Sequence, residues 1–356
     1  MSRSLSGLDD TDMCEIFQGT AALWPELAGT TVLVTGATGW FGTWLLDVLV
    51  TANQCHALGM QIFALSRRPE LFSQRHPELF VAPGLHWLTG DVTDRHVAAG
   101  LDPHYVIHAA TNTHVRFNAE DPAQTLTTIV DGTRQALTWA GPRCKGFLLL
   151  SSGAVYGPLA DNRTAHEEST LSGPDPLNVK SAYAEGKRAA ETWCTVAGRR
   201  RGVPVRIARC FAFVGPHMPL DAHFAVGNFV RDGLLGGPLV VQGDGRTVRS
   251  YLYMSDLVIW LLHLLVRAPV LRAYNVGSPA ALSIGMLAEK IAGLCGVKVL
   301  IQGERQDPVD RYLPDVTRIG EELGLRQQVS LDVALKRTLH WAARSLPDRS
   351  EERLSD

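Results

Sequence analysis

Tyr183 and Lys187 stand four residues apart in Tyr-Ala-Glu-Gly-Lys, a spacing that puts both side chains on one face of a helix. A phenol beside an ammonium can handle a proton. Tyrosine titrates near ~10, so its anion at neutral pH needs a neighbouring positive charge. Ser152 ends the apolar run Phe147–Ser151, and a serine hydroxyl there can hydrogen-bond the same substrate oxygen and orient it. The three residues suit the oxidation of a hydroxyl or the reduction of a ketone. Tyr-x-x-x-Lys alone is common on surface helices, so the chemistry depends on what else the chain supplies.

A redox partner is implied near the N-terminus. Thr35-Gly36-Ala37-Thr38-Gly39-Trp40-Phe41-Gly42 places three glycines at a three-residue spacing directly after Thr31-Val32-Leu33-Val34. That is the strand–turn–helix of a dinucleotide site. The first glycine makes the sharp turn, the second lets the backbone approach a pyrophosphate, and the third lets the helix pack on the strand. The expected cofactor contacts at this turn are Gly36, Thr38, Gly39, Trp40, Phe41 and Gly42.

The elements that must position these residues follow from apolar patterning. Strand-like runs occur at Thr31–Thr35, Gln61–Ser66, Leu85–Leu88, Tyr105–Ala109, Phe147–Ser151 and Val205–Cys210, with helix-like segments at Trp40–Ala52, Pro122–Ala140 and Ala182–Arg200. Short, fully apolar strands alternating with helices imply a parallel sheet covered on both faces. The expected fold class is α/β, a doubly wound parallel sheet (Rossmann) with a smaller C-terminal substrate-binding lobe. Residues 1–28 read as an N-terminal extension, with Met13–Leu27 as a short amphipathic helix. Residues 29–211 read as the dinucleotide-binding domain, to which parts of 247–280 return. Residues 212–246 and 281–345 read as the second lobe, closing with the helical run Leu331–Ala343, and 346–356 as a flexible tail. Ligands of such folds lie beyond the carboxyl ends of the strands, where a second lobe can enclose a substrate.

In order and at compatible spacing, the chain also carries Gly90-Asp91-Val92, His108-Ala109-Ala110-Thr111, Ser151-Ser152-x-x-Val155-Tyr156-Gly157, Arg209-Cys210-Phe211 with Gly215-Pro216, Gly243-Asp244-Gly245, Arg249 to Leu257, and Tyr274-Asn275-Val276-Gly277. With the glycine turn and Tyr183-x-x-x-Lys187, this set resembles the extended short-chain dehydrogenase/reductases of the nucleotide-sugar epimerase/dehydratase kind, from about Thr31 to Ala343. The resemblance implies that Ser152, Tyr183 and Lys187 are catalytic, with the last two also touching the cofactor. It implies that Asp91 and Val92 flank adenine and that Ala109, Ala110 and Thr111 line the ribose and nicotinamide side. It gives Arg249 to the substrate's diphosphate, where a bidentate guanidinium suits phosphate oxygens. Thr113, Ser152, Asn228 and Arg311 complete the expected substrate contacts. Asp91 as a helix cap and Arg249 as a surface ion pair are the structural alternatives. His114, His217 and His223 read as solvated or hydrogen-bonded histidines. Relatives dimerise through two helices per subunit, which implies a homodimer through Pro122–Ala140 and Ala182–Arg200.

Two departures narrow the chemistry. The second strand ends in Ser66-Arg67-Arg68 rather than a carboxylate, which favours NADP over NAD, although an arginine stacked on adenine is compatible with NAD. Dehydratases of this kind follow the catalytic serine or threonine with acids, and the related UDP-glucuronate decarboxylases place a glutamate at the position of Ala154. Here Gly153 and Ala154 offer no proton donor or acceptor. Ala212 stands where an asparagine is usual. The missing acids leave epimerisation and ketone reduction both open; epimerisation through a transient keto sugar, the more abundant activity in the resembled family, is the first expectation. A 4-keto-sugar reductase is the alternative, and dehydration or decarboxylation comes after both. Non-catalytic members of the fold generally lose the tyrosine or the lysine, and both are present.

Bulk properties agree with a globular enzyme and exclude other classes. The formal net charge is −2 and the hydrophobic fraction 46%, which gives no electrostatic reason to bind nucleic acid or an anionic membrane. No apolar stretch approaches a membrane span. The acidic start, with Asp9, Asp10, Asp12 and Glu15, lacks the order of a signal peptide. Six scattered cysteines without a metal-ligand spacing suggest reduced thiols, no metal, and a cytoplasmic location.

Overall fold

The computed structural model describes residues 3–111, 120–160, 163–222, 224–305 and 307–345. Its strands are β1 (Thr31–Thr35), β2 (Gln61–Ser66), β3 (Leu85–Thr89), β4 (Tyr105–His108), β5 (Gly146–Ser152), β6 (Val205–Cys210), β7 (Phe213–Val214), β8 (Leu239–Val241), β9 (Val248–Arg249), β10 (Leu252–Tyr253), β11 (Arg272–Val276), β12 (Leu282–Ser283) and β13 (Val299–Ile301). Seven of them form one parallel sheet in the order β11-β6-β5-β4-β1-β2-β3. Strands β4 and β5 are buried along their whole length, which is why they read as continuous apolar runs.

One face of the sheet packs against the helices Trp40–Cys55 and Met254–Arg267, the other against Pro122–Trp139 and Ala182–Arg201. A third core, from Val214 to Ala342, gathers the short strand pairs with the helices Ala225–Leu234, Ile284–Cys295 and Leu331–Ser345. No helix among the described residues is long and apolar enough to cross a membrane.

Two elements differ from the sequence expectation. The seventh strand, β11, pairs with β6 from Arg272↔Arg206 to Val276↔Cys210. Its mixed Arg-Ala-Tyr-Asn-Val pattern carries no apolar run to announce it. At the N-terminus the helix spans Asp10–Thr20, capped by the Asp9 carboxylate, and a 3₁₀ turn at Ala21–Leu23 separates it from Trp24–Leu27. Pro25, which lacks an amide hydrogen, is accommodated in the first turn of the second piece. Asp12 on the first helix is fully buried. It accepts from the Tyr253 hydroxyl at 2.9 Å and from Arg337 Nη1 at 2.7 Å. Arg337 also donates to both oxygens of Glu15, at 2.8 and 2.7 Å, so the first helix is tied to the last.

His108, buried at the end of β4, sits between Thr35 Oγ1 at 2.8 Å and Thr133 Oγ1 at 3.0 Å. Thr133 donates its own hydrogen to the Ile129 carbonyl, so His108 Nε2 carries the proton and Nδ1 accepts from Thr35. The ring is held neutral: burial brings it down to about 3. Burial likewise lowers His217 to about 3, and His76 and His166 to about 4. The unfolded chain protonates these rings below about 6.5 while the folded chain refuses the protons. Stability is therefore full above that pH and lost as pH falls toward the folded values, by up to about 1.4 kcal/mol per histidine per unit. Asp12 and Asp256, raised by burial to about 6, act in the opposite sense, but they are fewer and less shifted. The urea midpoint is expected to be flat from pH 7 to 8 and to drop between pH 6.5 and 4.5. A midpoint that rises on acidification would contradict this balance.

Candidate active site

Strands β1 and β4 are adjacent in the sheet, and the chain crosses to opposite sides beyond them, which opens a crevice at their carboxyl ends. Gly36, immediately after β1, has φ +68, and a Cβ there would lie 2.6 Å from the Ala109 carbonyl oxygen and 2.8 Å from the Ala110 amide nitrogen. A Cβ on Gly42 would lie 2.5 Å from the Gly36 oxygen. Glycine alone lets the turn press against the end of β4 while the helix Trp40–Cys55 starts with no side chain capping its amides. That cradle fits a dinucleotide pyrophosphate. The helix also holds the second lobe, since the indole nitrogens of Trp40 and Trp44 both donate to the Pro216 carbonyl, at 2.7 and 3.0 Å.

A cleft of about 1500 Å³ runs from this turn to the second lobe. Gly36, Thr38, Gly39, Trp40, Phe41 and Gly42 line one end, with Ser66, Arg67, Arg68, Asp91 and Val92 beyond them. The Ser66 hydroxyl lies 3.0 Å from Thr38 Oγ1 and accepts from the Arg68 amide at 3.2 Å. Arg67 Nε is 4.0 Å from Asp91 Oδ2, while Asp91 Oδ1 accepts from the Thr93 amide and hydroxyl at 2.9 and 2.7 Å. Asp91 thus fixes its own turn and also faces the cleft.

Ala109, Ala110, Thr111, Ser152, Tyr183 and Lys187 line the middle of the cleft. Ser152 Oγ, at the end of β5, accepts from the Ala154 amide at 3.1 Å. Lys187 is buried, and its Nζ donates to Thr111 Oγ1 at 2.7 Å and to the Leu150 carbonyl at 2.8 Å. It lies 5.9 Å from the centre of the Tyr183 ring. The ammonium lies beside the ring, and its hydrogen bonds go to β5 and Thr111 rather than to the phenol. Burial pushes the Tyr183 phenol up to about 12, against a hydrogen bond from Ser152 that lowers it. Burial brings Lys187 down to about 8.

At the far end, Asn228 lines the cleft from the helix Ala225–Leu234, and Arg249 lines it from β9. Arg249 Nη2 donates to Asp310 Oδ2 at 2.5 Å, so the ion-pair alternative is present at a residue that also faces the cleft. Arg311 departs from expectation. It is exposed and does not line the cleft, because a bridge to Val248 gives this segment strand-like alternation that turns Tyr312 inward instead. Thr113 and His114 lie outside the described residues, as does His223. His217 reaches the cleft wall, packed 5.0 Å from the His76 ring and 5.5 Å from Trp341.

Tyr312 is the residue sequence reasoning missed. Its hydroxyl lies 3.4 Å from Ser152 Oγ, and its ring packs against Phe211, centroids 4.7 Å apart and tilted by 37°. The absence of acids after Ser152 also has a steric side. A Cβ on Gly153 would lie 2.7 Å from the Phe211 ring and 2.8 Å from the Tyr312 hydroxyl, so no carboxylate side chain fits there. Asp91 and Asp232 are the only carboxylates among the described lining residues, and neither adjoins Ser152 in the chain.

The NAD dependent epimerase/dehydratase family model matches residues 32–277, and the chain belongs to that family. It is 31% identical over 309 residues to UDP-glucuronic acid decarboxylase 1 of Arabidopsis thaliana, covering 86% of this chain and 68% of that protein. The fold is similar to that of a UDP-glucose 4-epimerase from Thermotoga maritima solved with UDP-glucose (TM-score 0.76, 21% identity, 89% of this chain and 100% of that one). It is equally similar to a UDP-glucuronic acid 4-epimerase from Bacillus cereus in complex with UDP-glucuronic acid and NAD (TM-score 0.75, 21% identity, 89% and 100%). The fold is thus that of the extended short-chain dehydrogenase/reductases.

Proposed function

We propose that the chain is a nucleotide-sugar epimerase acting through transient oxidation of a sugar hydroxyl. The observation that carries this reading is Ser152, Tyr183 and Lys187 set beside Gly153 and Ala154, which offer no side-chain acid for elimination, with a Cβ at 153 already meeting the Phe211 ring and the Tyr312 hydroxyl. A nicotinamide dinucleotide bound in the glycine cradle would supply reversible hydride acceptance. Tyr183 takes the hydroxyl proton and later returns it. Ser152 holds the reacting oxygen by a hydrogen bond, and Lys187 fixes the Tyr183 ring and brings positive charge to the site. Arg249 and Asn228 hold the nucleotide diphosphate. Ser66, Arg67 and Arg68 support NADP as the preferred cofactor, since no carboxylate at the end of β2 repels a 2′-phosphate. The face carrying Leu126, Trp193 and Val196, each partly exposed on the helices Pro122–Trp139 and Ala182–Arg201, supports a homodimer.

A second reading, decarboxylation of a UDP-linked uronic acid, is favoured by the likeness to the Arabidopsis decarboxylase. UDP-glucuronic acid and UDP-glucose, each offered with NAD or NADP, separate the two. The epimerase reading expects a product of unchanged mass and no net change in nicotinamide absorbance. Release of carbon dioxide with a UDP-pentose would establish the decarboxylase, and stoichiometric NADPH consumption on a 4-keto sugar would establish a reductase. Tenfold tighter binding of NAD than of NADP would overturn the cofactor preference.

A further inference from the structure

We infer that Tyr312 is a second substrate-touching hydroxyl of the reaction centre, donating a hydrogen bond to the sugar oxygen that Ser152 also holds. The inference rests on the reading above, in which that oxygen meets Ser152 and Tyr183. Four observations carry it. The Tyr312 hydroxyl is 3.4 Å from Ser152 Oγ and faces the cleft. Its alternative acceptor, the Cys210 carbonyl, is at 3.5 Å, the outer limit of a hydrogen bond, so among the described residues the hydroxyl has no short partner to give up when substrate arrives. Its backbone is fixed, because the Tyr312 amide donates to the Val248 carbonyl at 3.1 Å and the Val248 amide to the Asp310 carbonyl at 2.8 Å. Its ring is fixed too, against Phe211 at 4.7 Å and with Arg249 Cζ 5.8 Å from its centre. A donor held this rigidly needs no reorganisation when charge grows on the reacting oxygen.

Burial raises the Tyr312 phenol in spite of a hydrogen bond from Ser152 that lowers it, so it stays protonated and can donate. The two tyrosines divide the work: Tyr183 exchanges the proton, and Tyr312 polarises the oxygen without taking it. The same hydroxyl occupies the space beside Gly153 where a side-chain acid would stand. Position 153 and position 312 therefore form one unit, and the second lobe supplies through Tyr312 a polar group that the strand end lacks.

The test uses the full chain, loaded with cofactor, and a nucleotide sugar that the wild type turns over. Tyr312→Phe keeps the ring contacts and removes only the hydroxyl. Turnover is expected to fall roughly 10- to 100-fold, with the dissociation constant for UDP and the melting temperature unchanged. Gly153→Ala, whose Cβ presses on both the Phe211 ring and the Tyr312 hydroxyl, is expected to show a loss of at least the same order. A Tyr312→Phe variant with wild-type turnover, or one whose entire loss lies in UDP binding, overturns the inference while leaving the epimerase reading intact. A wild type that turns over no nucleotide sugar overturns that reading, and the inference falls with it.

Discussion

Replacing Tyr183 by Phe is expected to lower turnover by roughly 10²–10⁴-fold, the range for loss of a positioned proton carrier. Binding should survive, because the ring rather than the hydroxyl packs against the second core and lies beside Lys187. The size of the effect follows from what Tyr183 alone can do. Ser152 accepts from the Ala154 amide and offers only a weakly acidic hydroxyl, while Lys187 is spent on Thr111 and the Leu150 carbonyl. Without ligands the phenol sits at about 12, so a base at neutral pH needs added positive charge, which an oxidised nicotinamide would bring. The wild-type rate should climb as pH rises through the phenol's value in the ternary complex. It should bend over once Lys187, held at about 8, loses its ammonium. Cofactor titration by fluorescence, alongside a pH profile of kcat, checks both statements. Full activity in Tyr183→Phe would remove the tyrosine from the mechanism.

The largest stability effect is expected at Glu191. Its carboxylate takes a bidentate pair of bonds from Arg209, at 3.0 and 2.7 Å, and one from the Ser151 hydroxyl at 2.6 Å. Arg209 Nη1 reaches the Tyr156 hydroxyl at 2.9 Å, which donates to Asn275 at 2.7 Å. Both charged side chains are largely shielded, 15% and 13% exposed. Removing one partner strands the other charge away from water, a loss of about 3–5 kcal/mol. Glu191→Ala should show that loss as a lower urea midpoint. It should also lower turnover, because Glu191 pins to β5 and β6 the helix that carries Tyr183 and Lys187. Glu167→Ala is the internal comparison. Its pair with Arg163 is exposed on both sides, 46% and 44%, and should contribute about 0–1 kcal/mol. Equal losses in the two variants would refute the role given to burial.

The central sheet was legible where local pattern and tertiary role coincide. Strands β1, β4 and β5 are apolar because both faces are covered, and the glycine turn is readable because Gly36 alone can press against Ala109. Strand β11 was not legible, since its place beside β6 is decided by pairing rather than by its own composition. Tyr312 left no signal for a similar reason. It is one tyrosine between Arg311 and Leu313, brought to Ser152 across 160 residues of chain. Arg311 was the expected contact, and only the bridge to Val248 shows which neighbour faces inward. The spacing of Tyr183 and Lys187 located their shared helix face but said nothing of Thr111 and Leu150, which direct the ammonium away from the phenol oxygen.

The tie between Asp12 and Arg337 imposes an order on biosynthesis. The two residues are 325 positions apart, so at about 5–20 residues per second a ribosome makes the arginine roughly 15 to 65 s after the aspartate. Until then the first helix lacks the guanidinium that compensates its buried carboxylate, and water is the better partner for Asp12 and Glu15. The dinucleotide half can collapse on its sheet during that interval, but its outermost helix has to wait. The helix Asp10–Thr20 is thus among the last of these elements to settle, and it settles only once the chain has been translated through Leu331–Ser345.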